Sequence, residues 1–207
     1  MSTLIDLSQY IESNMPVYPG DIETSLFQTH YLELHAHNNF RLNISMHSGT
    51  HIDSPMHLTE NSEHICEQTL ELFVGIGCLL DVRNEEVITM KEEYKDLIKE
   101  NSIVLLYTGW DKLYGTKEYY EKHPCVSIEL CKFLLEKNIK ILGMDTPSPD
   151  NYPFPVHKML LENNRYVLEN LTNLDKLLGV PNFEVIALPL KLKADSSMTR
   201  AVARLLE

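Results

Sequence analysis

The alternation of apolar and polar residues predicts short strands, a few short helices and many loops. Leu4-Ile-Asp-Leu-Ser8 is a brief strand-like run. Thr24 to Glu33 and Asn39 to Met46 read as two strands about a turn at His35-Ala-His-Asn-Asn39. Within the second, Arg41-Leu-Asn-Ile-Ser-Met46 alternates polar and apolar, which predicts one buried face because successive strand side chains point to opposite sides. Glu71 to Val82, Ser102 to Thr108, Ile139 to Met144 and Glu184 to Leu190 are apolar runs that read as buried strands. Helical spacing over Thr89 to Glu100 puts Tyr94, Leu97 and Ile98 on one face, and Ser127 to Lys137 turns Leu130, Phe133 and Leu134 inward. Pro155 to Glu162 predicts a short helix stopped at Asn163-Asn164, after which Arg165 to Leu171 resumes as a strand. Strands alternating with helices predict an α/β fold, a mixed sheet with flanking helices.

Composition narrows the function classes. The chain has 207 residues, a length that suits one domain over 1–207 with a full core. Its 18 Lys+Arg against 30 Asp+Glu leave a net charge of −12, and no basic stripe occurs, so nucleic acid and anionic membrane surfaces are disfavoured partners. No apolar stretch approaches the roughly 20 residues that span a bilayer. Met1-Ser-Thr-Leu-Ile-Asp6 lacks the basic and apolar regions of an export leader, so the expected address is the cytoplasm. There Cys66, Cys78, Cys125 and Cys131, without Cys-x-x-Cys spacing, are expected as reduced thiols.

The chemistry concentrates in Met46-His-Ser-Gly-Thr-His-Ile-Asp-Ser-Pro-Met-His57. Three histidines and a carboxylate (His47, His51, Asp53, His57) are the donor types that hold Zn²⁺, Mn²⁺ or Fe²⁺. All occupy odd positions, yet a straight strand at roughly 3.3 Å per residue would set His47 and His51 about 13 Å apart. One ion cannot span that gap, so the chain is predicted to bend at Ser48-Gly49-Thr50, where Gly supplies the unusual backbone angles. A helix fails because Asp53 would leave the shared face and Pro55 would break the following turn. The expectation is a strand ending in a metal-binding loop. His30, His35 and His37 sit in or beside a polar turn and are read as solvent-exposed, and His64 lies in a loop without an evident partner.

The segment resembles the signature of the cyclase family of metal-dependent hydrolases, H-x-G-T-H-x-D-x-P-x-H, with every fixed position present. Bacterial kynurenine formamidases and isatin hydrolases belong to that family. Further similarity lies in Asp6-Leu-Ser8, Pro16-Val-Tyr-Pro-Gly-Asp21, Thr108-Gly-Trp110 and Gly143-Met-Asp-Thr-Pro-Ser148. The tail Lys193-Ala-Asp-Ser-Ser-Met-Thr-Arg200 departs from the family's Gly-Ala-Asp-Gly-Ser-Pro-x-Arg, which leaves the geometry of Ala194 to Thr199 open.

The resemblance implies the swivelling β/β/α fold, a homodimer or homotetramer, and two divalent ions, zinc first and manganese as the alternative. His47, His51 and Asp53 would hold one ion; Asp53 would bridge to a second, completed by His157 and Glu169. From the residues alone, a charged Glu169 within Tyr-Val-Leu-Glu-Asn-Leu already calls for a cation or hydrogen bonds. It lies about 18 Å from His157 along a continuous helix, so only a helix–turn–strand reversal could bring the two together, and Asn163-Asn164 is suitable turn chemistry for one; that they do meet is what the resemblance implies. His57 would act as general acid and base, or alternatively as a further ligand. Tyr18 would line the substrate pocket where formamidases carry Trp, and Trp110 is either a core residue or a pocket wall. The implied reaction is hydrolysis of an amide-type C–N bond in a small aromatic substrate, with N-formylkynurenine giving kynurenine and formate. Opening a cyclic amide such as isatin is the alternative, as is a non-catalytic metal-dependent binding protein. A serine hydrolase is disfavoured, since no Gly-x-Ser-x-Gly elbow occurs.

Overall fold

In the computed structural model, which describes residues 3–206, the strands are β1 (Leu4–Asp6), β2 (Ser25–His30), β3 (Asn39–Asn43), β4 (His51–Asp53), β5 (Val74–Asp81), β6 (Val87–Ile88), β7 (Ile103–Tyr107), β8 (Cys125–Val126), β9 (Ile141–Met144), β10 (Tyr166–Glu169), β11 (Phe183–Ile186), β12 (Ser196–Met198) and β13 (Val202–Leu205). The helices are α1 (Leu32–His35), α2 (Tyr94–Leu97), α3 (Lys117–Glu121), α4 (Ile128–Glu136) and α5 (Pro155–Glu162).

The apolar runs in the middle of the chain become the parallel strands β5, β7, β9 and β10 at the centre of a nine-stranded sheet, ordered β1-β13-β11-β5-β7-β9-β10-β4-β12. Continuous apolar sequence suits them because a parallel sheet is covered on both faces. On β7, Ile103, Leu105 and Tyr107 enter one core, whereas Val104 and Leu106 enter the other. The second core is closed by Leu130 and Leu134 of α4 and by Val156, Leu160 and Leu161 of α5. The first is closed by the sheet's own antiparallel flanks, through Ile52 on one side and Phe183, Val185 and Ala203 on the other. The mixed sheet with flanking helices is therefore as expected.

Close packing leaves Gly77 no room for a side chain. A Cβ on Gly77 of β5 would lie 2.0 Å from the Phe183 ring on β11, itself buried. Gly77→Ala is expected to cost about 1–3 kcal/mol by displacing that ring. The check is a lower urea midpoint at unchanged slope.

Three expectations need correction. The alternating segment after Arg41 has no buried face: β3 ends at Asn43, pairs only with β2, and is exposed throughout, with Phe40 59% and Leu42 43% accessible. Its apolar positions Phe40 and Leu42 stay largely open to solvent. The helix in Thr89 to Glu100 is confined to α2; Tyr94 and Ile98 are buried, but Leu97 is 52% exposed, and Ile98 already has extended backbone. His51 to Asp53 is no loop either: it is β4, paired on both sides.

Candidate metal centre

Strand geometry assembles the cluster. On β4, Ile52 points into the first core, so His51 and Asp53 face the opposite side together. Register sets His51 across from Glu169 on antiparallel β10, which makes them same-face neighbours. Asn164 adopts φ 54° in the turn between α5 and β10, and this reversal brings His157 of α5 back over Glu169. Before β4, Gly49 takes φ 64° in the bend and delivers His47. Beyond it, Pro55 opens a single 3₁₀ turn that ends at His57. All six predicted residues converge.

Distances are those of a ligand cluster. Asp53 Oδ1 lies 3.0 Å from His47 Nδ1 and 3.5 Å from His51 Nε2, and Asp53 Oδ2 lies 3.3 Å from His157 Nε2. His51 Nε2 is 3.3 Å from Glu169 Oε2. These approaches are close but mostly unaligned as hydrogen bonds: His51 Nε2, both Asp53 oxygens, His157 Nε2 and Glu169 Oε1 are buried with no partner. Two carboxylates sealed from water need positive charge. Donor atoms of His51, Asp53 and Glu169 fall within 4.8 Å of one another, as do those of His47, Asp53 and His57, so Asp53 is common to both sets. Imidazole and carboxylate donors in this arrangement fit a divalent cation. Without one, burial opposes charge on both partners, yet the imidazoles of His51 and His47 hold the Asp53 carboxyl well below its usual range. In return, against the effect of burial, Asp53 and Asp195 raise His47 to about 11.

A second ring of groups orients the donors. His51 Nδ1 donates to Gly49 O at 2.9 Å, leaving Nε2 as the donor atom. Asn170 Nδ2 donates to the same carbonyl at 2.9 Å, and its Oδ1 accepts from the buried Tyr119 hydroxyl at 2.8 Å. Asp150 Oδ2 accepts from the backbone N–H groups of Val156 and His157 at 2.6 and 3.3 Å, fixing the start of α5. One oxygen of Asp195, Oδ2, lies 2.9 Å from His47 Nε2 and 3.1 Å from His57 Nδ1.

The cluster lies at the foot of a cavity whose walls include Tyr18, Tyr114, Tyr120 and Phe154. Tyr18 meets Tyr120 edge-on, with centroids 5.8 Å apart. Burial pushes the Tyr120 hydroxyl up to about 12 and raises that of Tyr114, so these walls stay uncharged at neutral pH.

Trp110 lies outside the cavity lining and donates its indole N–H to Tyr119 O at 3.1 Å, a structural role. The Thr108-Gly-Trp and Gly143-Met-Asp motifs meet: Asp145 accepts from Thr108 N, Thr108 Oγ1 and Gly109 N at 2.9, 2.6 and 2.7 Å. At the hairpin end His30 stacks on His37 and meets His35 edge-on; His35 and His37 are exposed as expected, whereas His30 is half-buried. His64, read as partnerless, contacts Glu67 at 3.1 Å. All four cysteines are free. The residues that the sequence did not single out are Asp195, Asp150, Asn170 and three cavity aromatics. Of these only Asp195 had a signal, the Ala-Asp-Ser of the departing tail. That tail forms β12 against β4.

The fold is shared with isatin hydrolase A from Labrenzia aggregata bound to benzyl benzoate, at TM-score 0.86 and 24% identity over 100% of this chain and 94% of that one. It is also shared with a predicted metal-dependent hydrolase from Bacillus stearothermophilus, at TM-score 0.78 and 25% identity over 100% of both chains. Together with the buried donor set, this architecture defines a metal-dependent hydrolase. The sequence profile described as "Putative cyclase" matches residues 5–151, and the chain belongs to that family. Among its relatives is a kynurenine formamidase of Bacillus cereus, 33% identical over 209 residues and 98% of each chain.

Proposed function

We propose that this chain is an arylformamidase that cleaves N-formylkynurenine to formate and kynurenine. The observation that carries the reading is the set of buried, unpartnered ligand atoms converging at the foot of an aromatic cavity. Similarity to a kynurenine formamidase over 98% of the chain supports the substrate. In this reading His47, His51 and Asp53 hold one cation and Asp53, His157 and Glu169 a second, zinc in preference to manganese. Asp53 as the shared ligand is supported by its presence in both close donor groups, His47–Asp53–His57 and His51–Asp53–Glu169, which divide the other donors differently from these two sites. Bound there, a divalent cation acidifies water and polarises a carbonyl.

His57 accepts the proton released as water attacks the formyl carbon, then passes it to the departing aryl nitrogen as the C–N bond breaks. Tyr18 and its aromatic neighbours hold the aryl ring over the cluster. We further place the protein in the cytoplasm as a homodimer or homotetramer, with a small molecule as its partner rather than nucleic acid or membrane. The exposed Phe40 and Leu42 of β3 support self-association. No helix among the described residues is long and apolar enough to cross a membrane.

The test compares N-formylkynurenine with isatin on metal-loaded protein. N-formylkynurenine is expected to give the higher kcat/KM. Tyr18→Ala is expected to lower that value roughly 2- to 12-fold, the loss of about 0.5–1.5 kcal/mol of ring–ring contact. Faster opening of isatin would move the substrate class to cyclic amides.

A further inference from the structure

We infer that Asp195 is a positioning residue that fixes His57 with its proton on Nδ1 and so leaves Nε2 as the basic nitrogen. A carboxylate only accepts hydrogen bonds, so each nitrogen facing Asp195 Oδ2 must carry the proton. The two histidines meet this oxygen through opposite ring atoms, His47 through Nε2 at 2.9 Å and His57 through Nδ1 at 3.1 Å. One oxygen thereby places a proton on one nitrogen of each ring. The other nitrogen of His47, Nδ1, also faces a carboxylate, Asp53 at 3.0 Å, and would be its donor atom to a cation held there. The other nitrogen of His57, Nε2, is the one left as a base.

The carboxylate is held rather than merely nearby. The Ser54 backbone N–H and hydroxyl both donate to Asp195 O, at 3.1 and 2.7 Å. The next residue, Ser196, is buried and pairs with Asp53 across β12 and β4, and its Oγ lies 3.1 Å from His47 Nε2. Asp195 is thus anchored to the same strand end that presents Asp53, even though 138 residues separate it from His57. A neutral imidazole without such a partner is free to place its proton on either nitrogen, and the wrong choice leaves no base facing the water. A carboxylate-to-amide change behind the catalytic histidine of serine proteases costs up to about 10⁴ in kcat for this reason.

The inference rests on the hydrolase reading for its kinetic arm alone, since the tautomer is read without substrate. Long-range ¹H–¹⁵N correlation spectra of histidine-labelled, zinc-loaded protein assign the protonated nitrogen of each neutral ring. The wild type is expected to show His57 protonated on Nδ1, and Asp195→Asn to move that proton to Nε2. Asp195→Asn is also expected to lower kcat about 10²-fold or more on N-formylkynurenine with KM and zinc content little changed, and Asp195→Glu to restore the Nδ1–H signature. An unchanged tautomer in Asp195→Asn would overturn the inference. So would loss of zinc from that variant, which would place Asp195 in support of His47 as a ligand. A wild type with the expected tautomer but no turnover would instead defeat the substrate reading and leave this one standing.

Discussion

Asp53→Asn is expected to abolish hydrolysis and to leave the protein without its cation. Asp53 alone contributes to both donor sets, and its two oxygens approach three imidazoles at 3.0 to 3.5 Å. An asparagine of the same shape removes the charge and sets an amide N–H₂ against the imidazole nitrogens. The effect on stability separates a lost ligand from a broken fold. In metal-free protein the Asp53 carboxylate is the buried counter-charge to the surrounding imidazoles, so neutralising it leaves them unpaired and is expected to cost about 3–5 kcal/mol by itself. With cation at a thousandfold excess over its Kd, the wild type gains about 4 kcal/mol by linkage. Added zinc should therefore raise the wild-type Tm and leave that of Asp53→Asn where it was. Thermal unfolding with and without zinc, alongside metal analysis, checks both halves; an equal zinc-induced rise in both proteins would remove Asp53 from the centre.

The second large effect belongs to His57. His57→Ala should keep the metal and lose at least about 10²-fold in kcat, the usual contribution of a positioned acid–base group. His57 is half-buried in the cavity lining, and its ring centroid is 4.1 Å from that of His47, close enough that the ligand role must be tested directly. Metal content decides: full zinc with slow turnover marks a proton carrier, whereas lost zinc marks a ligand. A metal-dependent binding protein has no use for a base, so unchanged function in His57→Ala would favour that reading over an enzyme.

Much of this centre was legible because local rules wrote it. Odd-numbered donors, a Gly bend and a Pro after the strand place His47, His51, Asp53 and His57 within one short segment. A carboxylate inside an apolar run exposed Glu169, and Asn163-Asn164 foretold the reversal that returns His157 to it. The parallel strands β7, β9 and β10 were legible for a similar reason, since both their faces are buried, whereas β5, read as buried, is only partly covered, with Ile76 53% exposed.

What escaped the sequence depends on contacts across the sheet. β4 is too short to declare itself by alternation, and it becomes a strand only because β10 and β12 flank it. Asp195 reaches His57 because β12 lies beside β4, which no periodicity encodes. Tyr114, Tyr120 and Phe154 enter the cavity from loops and α3, far from the motif in sequence. In β3 the pattern was real but its meaning was not: alternation records apolar positions without saying which surface covers them.

The most direct measurement is formate release from N-formylkynurenine by metal-stripped protein, before and after reconstitution with zinc. The stripped protein is expected to release negligible formate and to regain turnover as zinc fills the site. Equal release with and without metal would contradict it.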